Sequence, residues 1–376
     1  MTTTSPPPIP LADGTTPGRT LSIIEVSGEG REAGARQGEA ARDLIHLHLE
    51  RAVARNQRRK QLDRDETYRR ADAFREIVSS ELPSIAAEID GIALGAGIDR
   101  SAAWLLQLRA EVSRFDPADL PHECTSFGAT AAATRTATTI AGQNGDLPAF
   151  YTDVLVLIRR RRSDGPDYLT LTPAGQVSWH GINEAGVAIF ANFLYSGGWR
   201  PGIPRYLFTR IAMDHVTAKG AAAHLIGLRR GSSRNVLIAD ESTVLDVELA
   251  VDRAGLIEAS DGVLVHANHH VSDIGDVEIA PEDYLRNSRA RQDRLGEILR
   301  CPAGDRRREG GRRPPGPVVP TRRSQPGTGR PVLRRHDHHR QHHRRRGRPP
   351  AVDRARPAPP RRLSPVPSVR KQQVRR

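Results

Sequence analysis

Apolar residues recur at helical spacing through most of the first 115 positions of the chain. After a strand-like run at residues 20–27, the pattern predicts a helix over about 30–62, with alanines and leucines on one side of a charged background. A second helical block covers about 65–94, and Pro83 is expected to kink or divide it because proline cannot donate the helical hydrogen bond. A third helix is predicted over about 100–115.

The pattern changes to short β-type runs beyond residues 117–121. A helix containing Leu207, Ile211 and Val216 interrupts the series, a helix over about 281–299 follows it, and 183–186 are expected to form a turn. Helices first, then strands in series, then a helix indicate an α+β fold. The predicted strands are 136–141, 154–159, 168–172, 187–190, 235–239, 243–248, 256–259 and 263–267.

The charge of the chain is unevenly distributed. Residues 301–376 hold 23 Lys and Arg against 4 Asp and Glu, a net charge of +19, which leaves −6 for residues 1–300. The same 76 residues hold 14 of the 28 prolines and no aromatic residue, so they cannot bury enough apolar surface to offset the entropy of ordering. We expect four parts: a disordered N-terminus (1–17), a helical segment (18–123), a strand-rich segment (124–300) and a disordered basic tail (301–376).

Composition excludes several classes of protein. Two cysteines, Cys124 and Cys301, are too few for a disulfide framework. No apolar run approaches the roughly 20 residues that span a bilayer, and the Thr/Pro-rich start lacks the features of a signal peptide. The expectation is a cytoplasmic protein without a membrane partner.

The basic tail has the properties of a shifted reading frame. Residues 336–344 read His-Asp-His-His-Arg-Gln-His-His-Arg. Histidine codons are CAY and aspartate codons GAY, so advancing the frame by one base turns most of these positions into threonine, isoleucine or methionine. That hidden run has the β-branched composition of a strand. We therefore hypothesise a frameshift near residue 301, which resequencing from codon 295 would test.

Cys124 lies where the helical part gives way to the strands, in the segment His-Glu-Cys-Thr-Ser-Phe-Gly (122–128). Taken alone, this segment is typical of a buried structural cysteine. Three companion motifs change that interpretation: Ala-Gly-Gln-Asn-Gly-Asp (141–146), Gly-Ile-Asn-Glu-Ala-Gly-Val-Ala (181–188) leading into Asn-Phe-Leu (192–194), and His-Ala-Asn-His-His (266–270). Each motif alone is equally compatible with turn and capping residues.

Together, in this order and spacing, the motifs resemble the acyl-coenzyme A:6-aminopenicillanic acid acyltransferase (isopenicillin N acyltransferase) family of the N-terminal-nucleophile (Ntn) hydrolase superfamily. The similarity runs from about residue 20 to 300 and includes the helical segment 88–97. It implies a four-layer α/β/β/α sandwich of two stacked antiparallel sheets. A frameshift near residue 301 would remove the C-terminal strands of that fold.

The resemblance also implies a chemistry. The chain would cut its own Glu123–Cys124 bond, after which the Cys124 thiol is the nucleophile and its free α-amino group the base. That assignment is physically reasonable because an α-amino group titrates near neutrality. The substrate would be a small N-acyl or peptide-like amide, with acyl-coenzyme A as a further candidate, and neither a metal nor a cofactor would be needed.

Site residues follow from the same resemblance. Asp146 would orient the nucleophile's amino group, and Asn192 and Asn268 would stand near the tetrahedral oxyanion. Asn144 and Thr125 would support them.

The sequence also departs from the family pattern. Glu123 replaces the small residue that often precedes the cysteine, which is expected to slow self-cleavage, and Gly145 replaces an aromatic residue. The family's C-terminal basic residue would fall in the tail, so no catalytic arginine is assigned.

Three alternatives stay open from sequence. A cysteine–histidine pair would join Cys124 to His180, His266 or His269 in an uncut chain. A nucleic-acid-binding protein would act through the basic tail, although no aromatic residues there offer a stacking platform. An inactive product of a frameshifted gene would keep the motifs and lack part of a sheet.

Overall fold

Helices form where the apolar periodicity predicts them. The computed structural model describes residues 21, 23–60, 62–112 and 123–300. Pro83 divides the second helical block as predicted, because it is the first residue of a new helix, where its missing N–H has no role. The predicted 30–62 helix is broken at Ala41. The helices of this part are α1 (Gly30–Ala40), α2 (Arg42–Lys60), α3 (Arg64–Glu81), α4 (Pro83–Ala96), α5 (Arg100–Gln107) and α6 (Arg109–Val112).

Helices α1 and α4 pack with their backbones in contact. A β-carbon at Gly34 would lie 1.9 Å from the Glu88 carbonyl oxygen, and one at Gly95 would lie 1.9 Å from the Ala35 carbonyl oxygen. Gly38 and Gly91 meet the facing helix at similarly short distances. Only glycine permits this approach, which explains the presence of Gly91 and Gly95 in α4.

The strands form two sheets. The large sheet has the order β1-β4-β5-β6-β7-β8-β9-β10, and the small one has the order β11-β2-β3. The named strands pair antiparallel, as expected, except that β1 runs parallel to β4, with Ile23 opposite Leu157. The strands are β1 (Ile23–Val26), β2 (Cys124–Ala129), β3 (Ile140–Gly145), β4 (Leu155–Arg160), β5 (Tyr168–Pro173), β6 (His180–Asn183), β7 (Ala188–Asn192), β8 (Arg234–Ala239), β9 (Val244–Leu249), β10 (Ala254–Glu258) and β11 (Val263–His266).

The elements stack in the four layers that were predicted. The main core joins α1–α5, α7 (Tyr206–Ala212) and α8 (Ala218–Gly227) to one face of the large sheet. The small sheet packs on the opposite face, where Leu237 and Val244 meet Leu264. Helix α9 (Glu282–Arg300) lies against β11 and forms the last layer. The α+β sandwich is therefore confirmed.

Two local predictions are wrong, and strand β6 is not among the predicted strands. Residues 136–139 form turns instead of a strand, because Ala137 has φ of 51° and the Thr134 hydroxyl bonds the backbone of Thr138. Residues 180–183 form strand β6, since pairing with β5 satisfies their backbone. The turn predicted at 183–186 follows this strand, and the Gly186 N–H donates to the Asn183 carbonyl oxygen at 3.0 Å. The helix predicted around 207–216 is two helices, with Val216 exposed between them.

Several expectations fall outside the described residues. These are the disordered segments 1–17 and 301–376, the frameshift near residue 301 and the end of the third predicted helix, so they stay predictions. Among the helices that are described, none combines the length and apolar character that crossing a membrane requires.

Candidate active site

Cys124 is the first residue of β2, the central strand of the small sheet. Its side chain is 7% exposed. Gly145, the last residue of β3, lies opposite Cys124, so the next residue along β3 can reach back to the preceding peptide bond. The Asp146 N–H donates a 2.7 Å hydrogen bond to the Glu123 carbonyl oxygen. The carbonyl that a self-cleaving thiol would attack is therefore already polarised by a backbone donor.

Asn268 holds the other side of the same peptide bond. It follows strand β11, and its Oδ1 accepts a 2.7 Å hydrogen bond from the Cys124 N–H. Its Nδ2 donates to the Phe193 carbonyl at 3.0 Å, and its backbone N–H donates to the Ser288 hydroxyl of α9 at 2.8 Å. These bonds fix the orientation of the buried amide, so its oxygen faces the backbone nitrogen of Cys124.

Arg291 of α9 is a site residue that the sequence interpretation missed. Its Nη1 donates to the Cys124 carbonyl oxygen at 2.6 Å and to the Thr125 hydroxyl at 2.7 Å. Its Nη2 donates to Asn268 Oδ1 at 3.0 Å, and its Nε lies 3.6 Å from Glu123 Oε2. Arg291 also gives Glu123, the unusual residue before the cysteine, a partner of opposite charge.

The Cys124 thiol is held in its neutral form in the uncut chain. Burial raises its pKa to about 11, against the lowering effects of the Arg234 and Arg291 charges, and the Asp146 carboxylate adds to the rise. Only about one thiol in 10⁴ is then ionised at pH 7. Rapid and repeated nucleophilic attack at neutral pH therefore needs a base close to the sulfur.

Asn192 occupies the space between the sheets. Its Nδ2 donates to the Ser126 hydroxyl at 2.8 Å and to the His266 carbonyl at 2.9 Å, and its Oδ1 accepts from Gln143 at 2.6 Å. Both amide hydrogens are thus bound to groups of the small sheet. Asn144 is exposed on β3, opposite Thr125. The oxyanion role of Asn192 and the supporting role of Asn144 stay predictions.

A buried acid–base cluster lies behind this arrangement. His266 Nε2 is 2.7 Å from Glu248 Oε1, and Asn235 donates to Asp246. Burial alone would lower the pKa of His266, but the neighbouring carboxylates raise it to about 9. Burial opposes ionisation of Glu248, yet His266 and the donors around it lower its pKa to about 2. Burial raises the pKa of Asp246 to about 6.

The three histidines proposed as bases for Cys124 have other partners. His266 is bound to Glu248, and His269 bonds the Ser288 hydroxyl at 2.8 Å, with burial lowering its pKa to about 4. His180 is half-buried and lies against the Trp179 ring, with centroids 4.3 Å apart, and desolvation takes its pKa well below its ordinary value. The geometry therefore gives no support to a cysteine–histidine pair.

Removing the Glu248 carboxylate is expected to destabilise the fold. His266 has a raised pKa, so its stabilising contribution is present below pH 6.5 and is lost as the pH rises through 9. Glu248 has a lowered pKa, so its contribution is present above pH 4.5 and is lost as the pH falls through 2. At pH 6, Glu248→Gln should lower the free energy of unfolding in urea by about 3–5 kcal/mol, because it leaves a buried imidazolium without its partner.

The exposed Glu258 supplies a matched control for this measurement. Glu258→Gln should change the free energy of unfolding by less than about 0.5 kcal/mol. Equal stability of the two variants at pH 6 would show that the buried pair contributes nothing.

Cys124 lines two cavities. One is an open cleft of about 820 Å³ between the end of β3, including Asn144 and Asp146, and the Arg291, Leu295 and Ile298 side of α9. The other is a small chamber of about 30 Å³ that also contains Arg205 and Arg234. Across the described ranges, no three His, Cys, Asp or Glu side chains gather into a group that could hold a metal ion.

Known proteins are similar to large parts of the chain. Residues 134–302 match the family described as acyl-coenzyme A:6-aminopenicillanic acid acyl-transferase. The 40 kDa form of acyl-coenzyme A:6-aminopenicillanic-acid-acyltransferase from Emericella nidulans is 22% identical over 279 residues, which are 71% of this chain and 75% of that protein.

Two solved structures are similar to part of the chain. Penicillin V acylase from Agrobacterium tumefaciens is 12% identical, with 48% of this chain and 51% of that chain covered and a TM-score of 0.26. An arginine-to-leucine variant of conjugated bile acid hydrolase from Clostridium perfringens is 14% identical, with 40% and 46% covered and a TM-score of 0.22. The chain thus spans about half the length of these two proteins.

The family match begins ten residues after Cys124 and covers the motifs that carry Asp146, Asn192 and Asn268. The family resemblance expected from the motifs is confirmed. Over residues 134–302 the chain is similar to the acyl-coenzyme A:6-aminopenicillanic acid acyltransferase family.

Proposed function

We propose that this protein is a self-processing cysteine Ntn enzyme that hydrolyses or transfers the acyl group of small N-acyl or peptide-like amides through a thioester on Cys124. One observation carries the proposal: the Glu123–Cys124 peptide bond is held from both sides. The Asp146 N–H donates to its carbonyl oxygen at 2.7 Å, and Asn268 Oδ1 accepts from its nitrogen at 2.7 Å.

In the proposed self-cleavage, each of these groups has a role. The Cys124 sulfur attacks the Glu123 carbonyl carbon, and the negative charge that develops on its oxygen is stabilised by the Asp146 N–H. The carbon–nitrogen bond breaks as the carbon–sulfur bond forms, and the thiol proton passes to the departing amine, which stays bound to Asn268 Oδ1. Water hydrolyses the resulting thioester, which restores the thiol and leaves Glu123 with a free carboxylate.

The cut creates the base that the buried thiol lacks. A free α-amino group on Cys124 has an ordinary pKa of about 7.7–8.0, so its neutral form can take the thiol proton at physiological pH. Asn268 Oδ1 orients this amine, and the Asp146 carboxylate lies near enough to the sulfur to affect the thiol pKa. Arg291 holds the Cys124 carbonyl and Thr125 in place.

The proposal includes two alternative acceptors of the acyl group, an amine and water. The fungal relative is named for acyl-coenzyme A and 6-aminopenicillanic acid. An acyl-coenzyme A donor with an amine acceptor, or an amide donor with water, would both pass through the same thioester. The cleft of about 820 Å³ beside Cys124 has room for a small amide or the reacting end of an acyl-coenzyme A.

Intact mass measured under denaturing conditions, together with N-terminal sequencing, tests self-processing. The purified chain should yield fragments of 123 and 253 residues, and the second should begin Cys-Thr-Ser. A well-folded chain that stays as one piece of 376 residues would contradict the proposal.

A further inference from the structure

Arg234, which begins β8, is a buried arginine without a carboxylate partner in the described part of the chain. Its side chain is 3% exposed. Among the described residues, its Nη atoms make only long contacts with the Arg205 and Ala191 carbonyl oxygens, at 3.3 and 3.5 Å, and its Nε has no hydrogen-bond partner. Burial lowers the pKa of Arg234 to about 10, so it is still cationic at neutral pH. A buried cation in this condition is costly unless an anion binds to it.

Arg205 adds a second buried guanidinium beside it. It is 2% exposed, its Nε lies 3.8 Å from Glu111 Oε1, beyond hydrogen-bond length, and that nitrogen has no hydrogen-bond partner either. Both guanidinium carbons lie 4.9 Å from the centroid of the Tyr206 ring. The two positively charged side chains thus lie against the same aromatic ring, and both are buried.

The two arginines line the small chamber that opens on Cys124. Trp179, Phe193 and Tyr206 supply its aromatic walls, and its volume is about 30 Å³. That space accommodates about two water-sized groups, which corresponds to the two oxygens of a carboxylate. Guanidinium forks match planar carboxylates, and the surrounding rings exclude competing water.

We propose that this chamber is a carboxylate-binding subsite in which Arg234 and Arg205 hold a carboxylate of the amide substrate while its scissile carbonyl meets Cys124. The inference rests on the proposed function and narrows its substrate class to amides with a carboxylate a few bonds from the amide. The carboxylate belongs either to the leaving amine, as in an N-acyl amino acid, or to the acyl group, as in a monoamide of a dicarboxylic acid. The bulkier remainder of the substrate occupies the open cleft.

Alkylation of Cys124 tests the subsite without requiring turnover. Iodoacetate and iodoacetamide react through the same thiolate, so a changed thiol pKa alters both rates equally and cancels in their ratio. The ratio of the iodoacetate rate to the iodoacetamide rate, read at Cys124 by peptide mass, should be at least about tenfold higher in the folded chain than in the denatured chain. In Arg234→Met it should fall to the denatured value, and in Arg234→Lys it should be intermediate.

Arg159→Met supplies the charge-matched control. It removes an exposed arginine whose partner is Glu25, at 2.8 Å, and should leave the alkylation ratio unchanged. A wild-type ratio equal to the denatured value would overturn the subsite. A ratio in Arg234→Met that stays at the wild-type value would overturn it as well. An uncut chain that still prefers iodoacetate would overturn self-processing and support the carboxylate site.

Substrate pairs then identify which side of the amide carries the carboxylate. N-hexanoylglycine is compared with N-hexanoylglycinamide, and the monobenzylamide of succinate with N-butyrylbenzylamine. The carboxylate member of one pair should have the higher kcat/KM, and Arg234→Met should lower that value about 100-fold while changing the neutral member less than about threefold. Turnover of both pairs without any preference for the carboxylate would overturn the subsite and leave the proposed function standing.

Discussion

Replacing Cys124 with alanine is expected to leave every chain uncut and to lower acyl transfer by about 10⁶-fold, to the limit of detection. The substitution removes the only atom placed to attack the Glu123 carbonyl, since the described groups around that bond are an amide N–H, a side-chain amide and a guanidinium. Without the cut, no α-amino base exists either. Intact mass and thioester formation with a chromogenic amide measure the two effects.

The second cysteine of the chain provides the control for this substitution. Cys301→Ala should be cut and should react as the unsubstituted protein does. Cys124→Ser keeps a weaker nucleophile at the same position and should be cut slowly. Fragments of 123 and 253 residues from Cys124→Ala would show that another group, or a contaminating protease, makes the cut.

Arg291→Met is expected to lower the rate of self-cleavage by about 10²–10³-fold. It removes the charge-assisted hydrogen bonds that hold the Cys124 carbonyl, Thr125 and Asn268 Oδ1. Cys124 then loses its fixed position, and so does Asn268 Oδ1, which accepts the hydrogen bond from the Cys124 nitrogen. The magnitude is that of a lost catalytic donor, about 3–4 kcal/mol. The fraction of cut chain followed over time by denaturing electrophoresis measures the rate.

An arginine elsewhere on α9 separates this effect from a general loss of helix charge. Arg286 is exposed and pairs with Asp283 on its own helix, so Arg286→Met should be cut at the normal rate. Arg291→Lys keeps the positive charge but lacks the forked guanidinium donors, so it should recover part of the self-cleavage rate. Equal cleavage of the Arg286 and Arg291 variants would remove Arg291 from the mechanism.

Some parts of the fold could be predicted because local pattern and tertiary pairing agree. Strand β8 ends in the apolar run 236–239, and β9 carries valine or leucine at four of its six positions, in keeping with the burial of every residue of both strands. Strand β6 could not be predicted, because Gly181 and Asn183 are local turn residues and only pairing with β5 makes them a strand. The threonines at 136–139 have high strand propensity, but a turn closed by Thr134 takes precedence there.

The residues of the candidate site also differ in whether they could be predicted from the sequence. Cys124, Asp146 and Asn268 lie in motifs that can be recognised from their order, and the structure brings their backbone or side-chain groups onto one peptide bond. Arg291 has no such signal, since α9 carries arginines all along its length and only its packing over the small sheet selects one of them. Arg234 likewise becomes distinctive only when its burial is known.

Strand β1 belongs to the segment before the proposed cut, yet it pairs with β4 from the segment after it, and α1 and α4 share the core of the large sheet. The mature protein would therefore be a heterodimer whose two chains are interwoven and stay together in native buffer. Its unfolding would also be a dissociation, so its melting temperature would rise with protein concentration, whereas that of the uncut Cys124→Ala chain would not. The cut would thus change the molecularity of folding, and a processed enzyme diluted from denaturant would regain its structure far less readily than its precursor.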